Sequence, residues 1–296
     1  MRKKQIVSKT PVKLTRAIVD ILADLAPQAA ENAKHIHVEE IVYKSLDHLV
    51  LGFVVYPSDT EQKKKLPCII WNRGGSLKFG SIKIGQLFIE IADLARAGYF
   101  VIATQYSGWG KSGGVDEFGG ADLNDVLVLK DVLGEYPQAD LKNIGMYGWS
   151  RGGMMTYQAL SQTDWIKAAV VGGAPTNEVR APEYRPNWRN HQIKMYGGSK
   201  EQQIKRSAVY WSNSFPKNVP LLIMHGLSDW RVNPLDSLDL STLLLKEGVP
   251  HRLILFEGED HGITRHQDEV KRQTLKWFNR FIKNNENPPN TNPHGV

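Results

Sequence analysis

Apolar and polar positions change their rhythm twice along the chain. Residues 12 to 26 place Leu14, Ile18, Ile21, Leu22 and Leu25 at helical spacing, the period of an amphipathic helix that lays one face on a larger body. Pro11 near its start, Pro27 past its end and Thr10 as a candidate cap frame it. Residues 35 to 56 alternate loosely instead, through His37, Glu39, Ile41 and Tyr43, then Leu49, Leu51, Phe53 and Val55. The break from Lys44 to His48 predicts a hairpin.

From Leu66 the pattern changes again. Apolar runs at 68–71, 100–104, 144–147, 168–171, 221–224 and 252–256 alternate with helical stretches at about 86–97, 122–133, 154–162, 235–246 and 269–283. Alternation of this kind predicts crossover connections and an α/β fold, a mostly parallel twisted sheet with helices on both faces. Chemistry in such sheets gathers at the carboxyl ends of the strands. Residues 175–219, rich in Arg, Asn, Pro and Trp, break the alternation. They read as an insertion over that edge, a lid or one wall of a substrate pocket. The expected organisation is a helical extension over 1–34, one domain over 35–283, and an Asn/Pro-rich mobile tail over 284–296.

Composition narrows the class. The chain has 296 residues, 8 tryptophans and ordinary apolar and charged fractions, which excludes a disordered chain. Its net charge of +6 is spread along the sequence. Lys63-Lys64-Lys65 reads as a solvated loop before a strand, and no basic face is evident for nucleic acid. No apolar run approaches membrane-spanning length. The basic start (Arg2, Lys3, Lys4) is not followed by a continuous apolar segment, so no secretory signal is expected. The one cysteine, Cys68, excludes an internal disulfide and reads as a small buried hydrophobe in a strand. A cytoplasmic protein is the expectation. No His or carboxylate pair shows metal-ligand spacing, and neither a metal nor a cofactor is implied.

The chemistry centres on Gly148-Trp149-Ser150-Arg151-Gly152, which fits G-x-S-x-G. In that motif a serine sits on a sharp strand-to-helix turn, its hydroxyl outward, and the glycines avoid collisions across the turn. The apolar residues before it and the Pro-free, Gly-free stretch after it supply the strand and the helix. A serine hydroxyl needs a base to take its proton and an acid to orient the base. The order serine, acid, histidine belongs to α/β-hydrolases. It is met by Asp229, in the loop after the run 221–224, and His261, just beyond the run 252–256. All three fall at one edge of the predicted sheet. Asp236, Asp239 and Asp260 are rival acids: the first two fall on a helix and the third is the histidine's neighbour. His225 is the rival base, and its place before Gly226 suits it better to shaping the Asp229 loop.

A tetrahedral intermediate also needs backbone N–H donors. One is expected from Arg151, directly after the serine. The other is expected from Gly74 or Gly75, in the turn after the run 68–71.

These features resemble the catalytic domain of the prolyl oligopeptidase family of serine peptidases. The resemblance rests on Gly148 to Gly153, the Gly74-Gly75 turn, Phe118-Gly119-Gly120-Ala121-Asp122, His225-Gly226-Leu227-Ser228-Asp229-Trp230-Arg231-Val232 and Glu259-Asp260-His261-Gly262. It implies cleavage of a peptide or amide bond in a small substrate through an acyl-enzyme. The alternative is a carboxylesterase on the same fold. Two departures stand out. About 65 residues precede the hydrolase body, too few for the β-propeller many members carry. Arg73 stands where relatives often have His or Tyr, so a tyrosine oxyanion donor is missing.

Two other readings compete. Gly-Trp-Gly-Lys-Ser-Gly at 108–113 matches G-x-G-x-x-G and ends like a phosphate-binding loop. No helix opens directly after it, and Gln105 stands where a Walker loop needs its first glycine. The expectation is a flexible loop beside the active site rather than a nucleotide site. A catalytically dead hydrolase fold would lack the complete set of three residues.

Overall fold

The apolar runs after Leu66 do form strands, and four of them are buried nearly end to end, as strands covered on both faces must be. The computed structural model describes residues 4–25, 27–59 and 65–295. Arg2, Lys3, Lys63 and Lys64 lie outside the described residues, as do the side chains of Leu22 and Leu25. The described residues form two compact units.

The first unit runs to Asp116 and resumes over Asn124–Ile144. It holds β1 (Ile6–Pro11), α1 (Arg16–Leu25), α2 (Pro27–Ala33), β2 (Ile36–Ser45), β3 (His48–Pro57), β4 (Leu66–Asn72), α3 (Ile84–Gln86), a π-helical turn Leu87–Ile91, α4 (Ala92–Arg96) and β5 (Phe100–Thr104). After these come α5 (Asn124–Leu127), α6 (Leu129–Leu133) and the start of β6 (Ala139–Trp149). Its strands lie in the order β1-β2-β3-β5-β4. The hairpin is present, with Ser45 facing His48 across a two-residue turn in which Leu46 takes φ 52°. β3 runs antiparallel to β5, and β4 runs parallel to β5 with Cys68 facing Phe100. Cys68 is buried, and burial pushes its thiol pKa up, which makes it the inert core residue expected of it.

The N-terminal reading needs correction. Thr10 and Pro11 belong to β1, paired with Glu40 and Glu39, so Thr10 caps nothing. The helix opens later, where the Thr15 hydroxyl accepts from Ile18 N–H at 3.4 Å. Ile21 on that helix is exposed. It is α2, absent from the sequence reading, that is tied in. Asn32 is fully buried and donates to the Phe88 carbonyl (2.9 Å) and the Asp93 carboxylate (3.2 Å), while accepting from Arg96 (2.9 Å).

The Gly-rich loop is also not the flexible segment expected. Gly108 N–H donates to Gly113 O, Gly113 N–H to Leu49 O, and Leu51 N–H to the Ser112 hydroxyl. Lys111 pairs with Glu40 at 2.6 Å. At the loop's base, Ser107 donates through both its amide and its hydroxyl to the buried Asp125 carboxylate, 2.7 Å each.

The second unit holds Glu117–Leu123 and the chain from Gly145 on. It contains the end of β6, α7 (Arg151–Gln162), β7 (Ile166–Gly172), α8 (Ala181–Tyr184), α9 (Trp188–Tyr196), α10 (Lys200–Lys205), β8 (Leu221–Gly226), α11 (Leu235–Lys246), β9 (His251–Phe256) and α12 (Gln267–Phe278). The strand order is β6-β7-β8-β9, with β7, β8 and β9 parallel. Residues 175–219 form α8 to α10 and two 3-10 turns, Ala208–Tyr210 and Ser212–Ser214. They are anchored. Arg180 clamps Asp236 and Asp239 of α11, and Arg206 donates to the carbonyls of Glu117 and Phe118. The buried Glu178 carboxylate accepts from Trp188, Gln192 and Tyr196, and burial raises its pKa. Among the described residues no helix is long and apolar enough to cross a membrane.

Asn32 gives a direct check on the seat of α2. Asn32→Ala leaves the Phe88 carbonyl and Arg96 without this buried partner, and should destabilise the protein by about 2–3 kcal/mol, read as a lowered urea midpoint.

Candidate active site

Ser150 stands between β6 and α7 with φ 56° and ψ −124°, a region side chains rarely adopt and that strained functional turns store. Serine at a helix N-cap ordinarily spends its oxygen on the first-turn amides. Here the side chain makes no capping bond, so the strain aims the hydroxyl elsewhere. The turn is tight enough that a Cβ on Gly148 would sit 2.2 Å from the Gly152 carbonyl oxygen. The Arg151 amide lies at the first position of α7, where N–H groups have no intrahelical acceptor and the helix dipole is positive. The Arg151 side chain is buried against the Asp122 carboxylate, which also accepts from the Gly119 and Gly120 amides. Thus the Phe118–Asp122 motif fixes the first turn of α7, a role the sequence reading missed.

Asp229 lies three residues beyond β8. Its Oδ1 accepts from the amides of Arg231 (2.8 Å) and Val232 (3.0 Å). Its Oδ2 accepts from His261 Nδ1 at 2.7 Å and from His225 Nε2 at 3.1 Å. Burial alone would raise this carboxyl's pKa. The hydrogen bonds from His225 and His261, with the His261 charge, outweigh it and hold the group well below the usual carboxylate range. His225 Nε2 faces two acceptors, Asp229 Oδ2 and the Val232 carbonyl, so that nitrogen carries the hydrogen. Its Nδ1 then accepts from the Ser237 hydroxyl at 2.6 Å. The rival base is therefore a second donor to the acid, bonded to α11.

His261 is brought to the same place by two tethers. The Trp149 indole donates to the His261 carbonyl at 2.9 Å. Gly226 lets the strand end approach the loop, since a Cβ there would sit 2.3 Å from Asp260 O. The imidazole edge lies against Gly173, where an added Cβ would stand 3.3 Å from His261 Nδ1 and Cε1. The Ser150 amide donates to the adjacent Gly172 carbonyl at 2.8 Å. Serine and histidine thus flank one two-glycine segment. The Trp149 tether was legible only as a motif letter. Asp260 turns its carboxylate on Gly262 and Thr264, and Asp236 and Asp239 hold Arg180.

Gly74 and Gly75 lie in the first unit. Gly75 has φ 69°, and a Cβ there would meet Phe79 O at 2.2 Å. Arg73 is buried and donates to the carbonyls of Gln105 (2.8 Å), Gly74 (3.1 Å) and Leu77 (3.3 Å), so it shapes this turn from within. Among the described residues no group of three His, Cys, Asp or Glu side chains is placed to hold a metal ion.

The fold and this arrangement define a class, the α/β-hydrolases: among the described residues, nine strands, mostly parallel, with helices following them. Within that class, the profile of the prolyl oligopeptidase family matches residues 86–285, and the chain belongs to that family of serine-type peptidases. It is 25% identical to dipeptidyl-peptidase 5 of Porphyromonas gingivalis over 79% of this chain and 36% of that protein. It is 24% identical to the uncharacterized peptidase YtmA of Bacillus subtilis over 83% of this chain and 95% of that one. Among solved structures, the acylaminoacyl peptidase of Pyrococcus horikoshii superposes with a TM-score of 0.75 at 23% identity, over 88% of this chain and 44% of that one. The chain thus spans between a third and half of the first relatives it matches, YtmA being of similar length.

The depressed Asp229 carboxyl sets a pH dependence. Its folded pKa lies well below the unfolded value near 3.8, so its stabilisation is fully present above the unfolded value and is lost as pH falls from there through the folded one. Asp229→Asn should be less stable than wild type at neutral pH. The gap should narrow progressively as pH falls below about 5, as read by denaturant midpoints taken down to the lowest pH at which the fold persists.

Proposed function

We propose that this chain is a serine hydrolase cleaving a peptide or amide bond through an acyl-enzyme. The observation that carries the reading is the pairing of Asp229 with His261 Nδ1 at 2.7 Å, beside a serine in strained elbow geometry. In this mechanism His261 Nε2 takes the Ser150 proton as Oγ attacks the substrate carbonyl. The tetrahedral oxyanion is met by the Arg151 amide, and Gly74 or Gly75 is the second donor that the sequence motif suggests. His261 then gives its proton to the leaving amine, and water repeats the cycle on the acyl-enzyme. Asp229 fixes the tautomer and stabilises the imidazolium. A buried carboxylate held ionised by four hydrogen bonds suits that task, because it remains negative while the ring becomes positive. The peptidases among the relatives favour a small peptide as substrate. The reaction needs no cofactor.

Ester cleavage uses the same residues, because only the leaving group differs. Ser150→Ala should lower hydrolysis of aminoacyl and proline-containing arylamides by about a thousandfold or more, with an unchanged denaturant midpoint. Retained turnover would remove Ser150 as the nucleophile. Turnover of short-chain aryl esters alone, lost in the same variant, would make the chain an esterase.

A further inference from the structure

The loop that carries Asp229 also gathers cations and indoles. Trp230, the next residue, is 67% exposed, high for an aromatic side chain in an anchored loop. The guanidinium of Arg231 lies 5.1 Å from its ring centre, and that of Arg185 lies 5.6 Å away. Arg185 also stacks over Trp188 at 4.4 Å and donates to the Arg231 carbonyl at 3.3 Å. The Arg231 amide in turn donates to Asp229. Two hydrogen bonds therefore connect the Arg185 guanidinium to the triad's acid.

The charges around Arg185 do not balance locally. Among the described residues no carboxylate forms an ion pair with it. Of the two carboxylates that act on it through space, Glu178 is buried under hydrogen bonds from Trp188, Gln192 and Tyr196. The other, Asp229, is committed to two imidazoles and two amides. Asp236 and Asp239 are taken by Arg180. Half-burial and the neighbouring Arg231 both lower the Arg185 pKa, the signature of a cation held without its counterion. A planar guanidinium held over an indole is positioned to take a carboxylate through two parallel N–H groups.

We propose that Arg185 and Arg231, beside the exposed face of Trp230, form a subsite for a carboxylate on the substrate. The inference rests on the reading of Ser150 as nucleophile and adds the substrate class: peptides or acyl compounds bearing an acidic group near the scissile bond. The carboxylate belongs either to the acyl portion, as in a glutaryl group or an acidic side chain, or to the leaving portion, as in a free peptide terminus. Bound there, it relieves the repulsion between the two arginines, and the indole supplies an apolar wall for the methylenes that carry it.

A matched pair of aryl phosphonates tests this, one with a neutral butyl arm and one with the same arm ending in a carboxylate. The carboxylate reagent should inactivate wild type about tenfold faster, the size of one hydrogen bond to a charged group. That preference should vanish in Arg185→Met, persist in part in Arg185→Lys and shrink with added salt. A ratio near one in wild type, or one unchanged in Arg185→Met, overturns the subsite and leaves Ser150 standing as nucleophile. A second pair, with the carboxylate moved to the leaving phenol, assigns it to the acyl or the leaving side. Labelling by neither reagent overturns the nucleophile instead. Calorimetry with glutarate on Ser150→Ala, which needs no turnover, then decides the subsite alone: binding lost in the Arg185→Met double variant supports it, and absence of binding overturns it.

Discussion

A buried negative charge with two imidazoles on one oxygen organises the second unit. The Asp229 carboxylate cannot be taken from water without compensation, and four hydrogen bonds supply it. Each bond fixes a different piece of chain. The amides of Arg231 and Val232 curl the loop back on itself. His225 joins the carboxylate to Ser237 and so to α11. His261 draws in the loop after β9. Removing the charge would therefore loosen the loop, the helix and the His261 loop together, which makes Asp229 a structural centre whatever its part in the proposed mechanism.

The serine side is held by steric crowding and a buried ion pair. Backbone crowding at Gly148 leaves no room for a Cβ in the turn. The buried Arg151–Asp122 pair fixes the first turn of α7, and its charge is satisfied in part by the Gly119 and Gly120 amides. An unpaired arginine at that depth would be strongly destabilising.

The sequence was legible where chemistry or burial leaves few choices. The runs at 68–71, 100–104 and 221–224 were read as strands because continuous apolar stretches bounded by polar residues admit little else. Ser150, Asp229 and His261 could be placed because each follows such a strand, and the structure brings Asp229 and His261 into contact. β1 was not legible: five of its six residues are exposed, so no alternation marks it. Helix α2 was hidden because its tie to the body is an asparagine, a residue that ordinarily signals loops. The Gly-rich loop read as flexible because its restraints are backbone hydrogen bonds and a serine-aspartate contact distant in sequence. The cluster around Arg185 was invisible for a similar reason, since its members come from residues 185, 188, 230 and 231, and only space joins the two pairs.

The indole tether between Trp149 and His261 has a consequence for how such a chain can diverge. The bond ends on a main-chain carbonyl, which every residue type possesses. Side chains of the loop around His261 can therefore drift without releasing the tether, whereas an insertion or deletion of one residue would move the carbonyl out of reach. The tryptophan, by contrast, has no equivalent among smaller apolar residues, because the reach and the N–H must come together. Such an arrangement admits exchange of residues in the His261 loop and resists changes in its length.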